Sequence, residues 1–273
     1  IGFIGGSITQ GSLSSTPQKC YAYLVYEWWV RTFPQAEFKY VNAGIGGTTS
    51  QFGVARAQDD LLDAEPDFVI AEFSVNDEST GHFEETYEGL VRKILSSKSH
   101  PALMLVHNVC YNNGASAELV HSRIARHYNI PSVSMQSTLY KALLNCRFDN
   151  RRITPDDLHP NDCGHELVSM VITKRLEQIK NTVKAEYETA KSQRAAAQPD
   201  AGAAALLPEP LTANAYEDSV RYRNYNSTPE LDGFKADMSE QRDITDCFKK
   251  GYTASKNGAC ITFKVKGSCI AVQ

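Results

Sequence analysis

Ser7 stands in GGSITQG, behind two glycines and directly after the apolar run IGFI. A serine hydroxyl is a poor nucleophile at neutral pH unless an adjacent base takes its proton and a third group holds that base. The stretch DDLHP contains both types, with Asp156 three positions before His159. In a loop or a single helical turn, that spacing lets the carboxylate reach the imidazole, fix its tautomer and stabilise imidazolium. Asp157 competes for the same role, and the spacing favours Asp156. Pro160 restricts His159 to an extended backbone. Acyl transfer further requires donors aimed at the developing oxyanion. The candidates are the N–H of Ser7, the N–H of Gly47 in GIGGTTS, and the side-chain amide of Asn76 in SVND.

Each of these residues also has a plainer reading. Ser7 can be a helix N-cap, Gly47 a turn glycine, Asn76 an Asx-turn, and either aspartate a turn or helix-start residue. His107 is read as a near-core histidine at a strand end, and His121, His127 and His165 as structural or solvated. No HExxH or comparable metal-ligand spacing occurs, and GIGGTTS lacks the GK[ST] ending of a P-loop. The expected chemistry uses no metal or other cofactor.

The elements that must position these residues alternate in type. IGFI, FKYVNAG, DFVIAEF, ALMLVHNV and IPSVSM read as strands, and DFVIAEF is the continuous apolar run of a central parallel strand. Helical spacing marks KCYAYLVYEWWVRTF, residues 53–64, FEETYEGLVRKILSS, ASAELVHSRIARHYN, STLYKALLN and a long segment from about 162 to 190. Such alternation predicts an α/β fold, a parallel sheet with helices on both faces. Ser7, Gly47 and Asn76 then follow the first three strands, at the carboxyl edge where ligands collect.

The stretch 191–212, KSQRAAAQPDAGAAALLPEPLT, is rich in Ala, Pro and Gln without an amphipathic period and reads as a linker. Beyond it, ACITFKVKGSCIAV alternates apolar with polar or small residues around a KG turn, as antiparallel strands do. The expected organisation is a catalytic domain over 1–190, a linker over 191–212, and the start of a β-sandwich over 213–273.

With 42% hydrophobic residues and 22% charged, the 273-residue chain has material for a sizeable core, and no apolar run is long enough to span a membrane. A formal charge of −4 gives no footprint for nucleic acid or anionic lipid. Seven cysteines without a CxxC pair suggest neither a zinc ribbon nor a disulfide framework. They read mostly as buried free thiols, and a cytoplasmic location is the expectation from them. Ile1 already lies inside a strand and GSCIAVQ stops within an apolar stretch, so both ends read as cut and the lack of a leader is uninformative.

Four blocks in sheet order, GGSIT, VNAGIGGTTSQFGVAR, SVND and DDLHP, resemble those of the SGNH (GDSL-type) hydrolases over roughly residues 1–185. The resemblance implies a flavodoxin-like three-layer α/β/α fold. It implies Ser7 as nucleophile, His159 and Asp156 as the rest of a triad, and Ser7, Gly47 and Asn76 as the oxyanion hole. Gly6 stands where the family often has aspartate, and Ser74 where it has glycine. GGSITQG and HPND-x-GH are most similar to the carbohydrate esterases of the superfamily, which often carry an accessory sandwich. The implied reaction is removal of acetyl groups from a polysaccharide or oligosaccharide. The alternatives are a lipase or thioesterase, and an inactive carbohydrate-binding protein.

Overall fold

The computed structural model describes residues 1–193, 207–240 and 250–272. Five strands form one parallel sheet: β1 (Gly2–Gly5), β2 (Val41–Gly44), β3 (Phe68–Glu72), β4 (Ala102–His107) and β5 (Ser132–Ser134). Their order is β2-β1-β3-β4-β5. The chain therefore turns one way after β1 and the other way for β3 onward, leaving a crevice beyond the carboxyl ends of β1 and β3.

The expected three-layer α/β/α arrangement is present. Because successive strand side chains point to opposite faces, each apolar strand feeds two cores. Phe3, Ile70, Met104 and Val106 face α2 (Tyr21–Thr32) and α7 (Asp162–Gln193), meeting Val25, Val168 and Ile172. Ile4, Val69, Ala71, Leu103 and Leu105 face α3 (Ser50–Asp60), α4 (Gly81–Leu95) and α5 (Glu118–His127), where Val54, Tyr87, Leu90 and Ile124 complete the second core. Trp28 and Trp29 both pack at the edge of the first core, and the Trp28 indole N–H donates to Glu177 at 3.1 Å. STLYKALLN coils as expected, as a wide turn at Gln136–Tyr140 running into the short α6 (Lys141–Leu144).

Two compact units divide between Glu217 and Asp218. The expected linker falls partly on 194–206, outside the described residues; its last part, with the residues after it, packs on the first unit. Glu88, buried on α4, accepts from the N–H groups of Leu211 (2.5 Å) and Thr212 (2.7 Å) and from the Thr212 hydroxyl. Arg92 pairs with Glu217 at 2.8 Å and donates to the Pro208 carbonyl. Composition alone reads this segment as a spacer because several of its anchors are backbone groups, which any sequence possesses.

The second unit holds two short antiparallel pairs. β6 (Glu230–Asp232) pairs with β9 (Cys260–Thr262), and β7 (Phe234–Ala236) pairs with β8 (Tyr252–Ala254). The hairpin expected around Lys266–Gly267 is not formed. Only Cys260–Thr262 of that stretch is a strand, since alternation needs a neighbouring strand to bond and residues 263–272 have none among the described residues. The cysteines also depart from expectation. Cys20 is buried and Cys110 half-buried, but Cys146, Cys163, Cys260 and Cys269 are exposed; Cys247 lies outside the described residues.

Candidate active site

Ser7 opens α1 (Ser7–Gln10), a single turn that begins as soon as β1 ends. Gly6 is extended there, so the plain N-cap reading of Ser7 does not hold: Gly6 is the cap and Ser7 the first helical residue. As such its N–H has no acceptor within the helix. The turn closes at Gly11, whose N–H donates back to the Ser7 carbonyl at 3.1 Å. The Ser7 hydroxyl thus stands at the carboxyl edge of β1, on a residue only 8% exposed.

The fold brings His159 to it across 152 positions. Ser7 Oγ and His159 Nε2 are 2.8 Å apart, and His159 Nδ1 is 2.6 Å from Asp156 Oδ2. Asp156 Oδ1 accepts from the N–H groups of His159 (2.7 Å) and Leu158 (3.1 Å) and from the Thr154 hydroxyl (3.1 Å). Partial burial pushes the Asp156 carboxyl up, but the hydrogen bonds from the His159 ring and the two backbone N–H groups outweigh it and hold the pKa at about 2. An ionised carboxylate only accepts. Nδ1 of His159 must therefore carry the proton, which leaves Nε2 as the acceptor facing Ser7. The choice between the two aspartates is resolved: Asp156 touches the ring, and Asp157 points elsewhere, to Asn150 and Arg151.

Asn76 lies against Gly6, the residue before Ser7. A Cβ on Gly6 would sit 2.2 Å from Asn76 Oδ1, so the space that Gly6 leaves open is filled by this amide. Asn76 Oδ1 is buried and has no hydrogen-bond partner among the described residues. The glycine loop following β2 lies close to Ser7. A Cβ on Gly46 would lie 3.5 Å from Ser7 Cβ, and the Gly46 N–H donates to Gln10 Oε1 at 2.7 Å. Gly47, next in line, has φ +69°, the left-handed region that glycine adopts without a steric penalty. Its N–H meets no acceptor among the described residues. The structure thus gathers all five expected residues, Ser7, Gly47, Asn76, Asp156 and His159, at one edge of the sheet.

With this geometry in hand, the match to known proteins is decisive. Residues 3–167 match the GDSL-like lipase/acylhydrolase family. The chain belongs to that family. Its GDSL-type fold is shared at a TM-score of 0.81 and 62% identity with a two-domain esterase active on acetylated mannans, over 94% of this chain. The chain spans 66% of that protein's length. An acetylxylan esterase from Geobacillus stearothermophilus is alike in fold, at 20% identity and a TM-score of 0.53, over 64% of this chain and 92% of that one. The thioesterase 1/protease 1/lysophospholipase L1 of Escherichia coli K12 is 25% identical over 189 residues, 65% of this chain and 83% of the relative.

Of the two departures from the GDSL-type pattern, Gly6 leaves room that Asn76 fills, since a Cβ there would meet Asn76 Oδ1. Ser74 is buried, and its hydroxyl donates to the Asn108 carbonyl at 3.0 Å, tying the loop after β3 to the loop after β4.

Sequence reasoning missed the residues that support the site. Arg56, fully buried on α3, donates to the carbonyls of Ala43 (2.7 Å) and Gly5 (3.1 Å), fastening the ends of β2 and β1 next to Ser7. HPND-x-GH was legible only as a family signature, yet its side chains bind the segment after Ser7. Asp162 accepts from the Ser15 N–H (2.7 Å), the Ser15 hydroxyl (2.8 Å) and Lys19 (2.7 Å). His165 is buried; its Nδ1 accepts from the Tyr21 N–H at 3.3 Å and its Nε2 lies 3.2 Å from the Ser12 carbonyl. The segment that follows Ser7 is thereby locked to the helix that follows His159.

Of the other histidines, His107 and His121 are buried, while His82, His100 and His127 are exposed. His121 is fully buried, with Nε2 3.1 Å from Asp77 Oδ2, and it stacks on Tyr87. His107 is buried at the end of β4, where desolvation and then the nearby His121 push its pKa down to about 3, so the ring stays neutral. Glu72 lies fully buried at the end of β3, beside the Thr9 and Ser74 hydroxyls at 3.4 Å. Burial pushes its carboxyl up to about 7, and the Asp77 charge adds to the rise. Among the described residues no cluster of His, Cys, Asp and Glu is arranged to hold a metal ion, and no helix is long and apolar enough to cross a membrane.

Proposed function

We propose that this chain is a serine ester hydrolase that removes acetyl groups from a polysaccharide or oligosaccharide. One observation carries the reading: the continuous hydrogen-bonded line from Ser7 Oγ through His159 to Asp156, with steps of 2.8 and 2.6 Å. Ser7 Oγ attacks the acyl carbonyl while His159 Nε2 takes its proton, and Asp156 stabilises the imidazolium. The carbonyl oxygen becomes an oxyanion held by the N–H groups of Ser7 and Gly47 and the Asn76 amide. As the tetrahedral centre collapses, the C–O bond to the sugar breaks and His159 returns the proton to the departing hydroxyl. Water then attacks the acyl-serine with His159 again as base, releasing the acid and restoring Ser7. The chemistry needs no metal and no organic cofactor.

The acetyl group and the sugar carrier are supported by the 62%-identical esterase active on acetylated mannans. Acetylated mannan is accordingly the first substrate to test. A series of activated esters from acetyl to octanoyl should show kcat/KM falling steeply beyond acetyl. A flat or rising series would instead favour a lipase or thioesterase, the activity class in the name of the Escherichia coli relative. Removing one oxyanion donor with Asn76→Ala should lower kcat by about 10²–10³ on the acetyl ester. An unchanged kcat would take Asn76 out of the oxyanion set. An inactive carbohydrate-binding protein is the remaining reading; rapid stoichiometric labelling of Ser7 by a serine-directed phosphonate would exclude it.

A further inference from the structure

Asp157 contributes no atom to the line between Ser7 and Asp156, yet the histidine loop is built around it. Its φ is +67°, a conformation in which a side chain crowds the backbone and which glycine adopts freely. Three bonds hold the residue there. Asp157 Oδ1 accepts from Asn150 Nδ2 at 2.5 Å, and Oδ2 accepts from the Arg151 guanidinium at 3.0 Å. Its carbonyl accepts from the N–H of Tyr111, a buried residue in the loop after β4, at 2.7 Å. Asn150 and Arg151 are themselves fixed in a tight turn, Asn150–Arg152, capped by Asp149. Arg151 also donates to the Pro155 carbonyl at 2.6 Å.

Asp157 is therefore clamped from two directions, by the turn that precedes the loop and by a loop anchored on the sheet. A left-handed residue here folds the chain back, so that the N–H groups of Leu158 and His159 both reach Asp156 Oδ1. With Oδ1 so engaged, Oδ2 is aimed at His159 Nδ1.

We propose that Asp157 is a positioning residue: gripped by Asn150 and Arg151, it holds the loop in the one shape that aims Asp156 at the His159 ring. This inference rests on the reading of Ser7, His159 and Asp156 as the reacting set. It also accounts for a side chain at a left-handed position where glycine would fit with less strain: glycine offers no carboxylate to clamp.

The test compares the whole chain with Asp157→Ala, Asp157→Asn and Asn150→Ala on an activated acetyl ester, and follows the downfield proton resonance of the His159–Asp156 hydrogen bond. Misplacing a reacting group by about 1 Å can cost about 10²-fold, so Asp157→Ala should lower kcat by about that factor at unchanged KM and lose the resonance. Asp157→Asn keeps an oxygen for Asn150 and tolerates the left-handed backbone, so it should recover most of both. Asn150→Ala, which leaves the loop sequence intact, should reproduce part of the kcat loss, and it decides the matter if Asp157→Ala fails to fold.

Parent-like kcat and resonance in folded Asp157→Ala, or in Asn150→Ala where the former does not fold, would overturn the positioning role while leaving the reacting set in place. Full turnover by Asp156→Asn would overturn the reacting set itself, and the positioning role with it.

Discussion

Ser7→Ala is expected to abolish turnover of an activated acetyl ester, with kcat falling by about 10⁶-fold. The hydroxyl is the only atom of residue 7 that bonds His159, and alanine removes it while leaving the one-turn helix and its backbone N–H in place. The fold should be indifferent to the change, because Ser7 provides no side-chain cap to the helix it opens. Thermal denaturation of the variant should match the parent, and the phosphonate label should no longer attach. Retention of the parent rate in Ser7→Ala would refute the proposed mechanism outright.

The second large effect is expected at Asp156. Asp156→Asn keeps the size of the side chain but offers the ring an amide, which can present its own N–H where His159 Nδ1 needs an acceptor. The imidazole would then favour the tautomer with its proton on Nε2, and Nε2 could no longer accept from Ser7. A loss of on the order of 10⁴-fold in kcat is the expected scale for such a tautomer reversal. The pH dependence follows from the carboxyl's lowered pKa. Asp156 is ionised above about pH 2 in the folded chain, so its stabilising interactions are present above the ordinary carboxylate range and are lost only as pH falls through about 2. A decline of activity between neutral pH and pH 4 therefore reports another group. Finding that the decline vanishes in Asp156→Asn would contradict this assignment.

These expectations also explain the roles of neighbouring residues that take no part in proton transfer. Arg56 and Asp162 hold backbone and loop, one next to Ser7 and one on the segment that follows it. Their bonds join segments far apart in the chain, so the distance between Ser7 and His159 depends on contacts well outside either residue's own loop. A rigid support of this kind matters because the near-attack geometry tolerates little displacement.

The sequence by itself determined the order of the elements, the parallel sheet and the five residues expected to do chemistry. Each of those rests on a local signal. Strand and helix follow from apolar periodicity over a few residues, and DDLHP keeps acid and base within one turn of each other. The tertiary structure made the contact that spacing favours: Asp156 touches the ring, while Asp157, left-handed, turns to Asn150 and Arg151. It alone placed Asn76, in the turn after β3, against Gly6, about seventy positions away in the chain. It also docked 207–217 on α4 through the Leu211 and Thr212 N–H groups and the Glu217 carboxylate, and among the described residues left Lys266–Gly267 outside any hairpin. Local periodicity encodes which residues can form an element. Which elements touch is set by the pairing of groups distant in the chain, and that pairing exists only once the sheet has assembled.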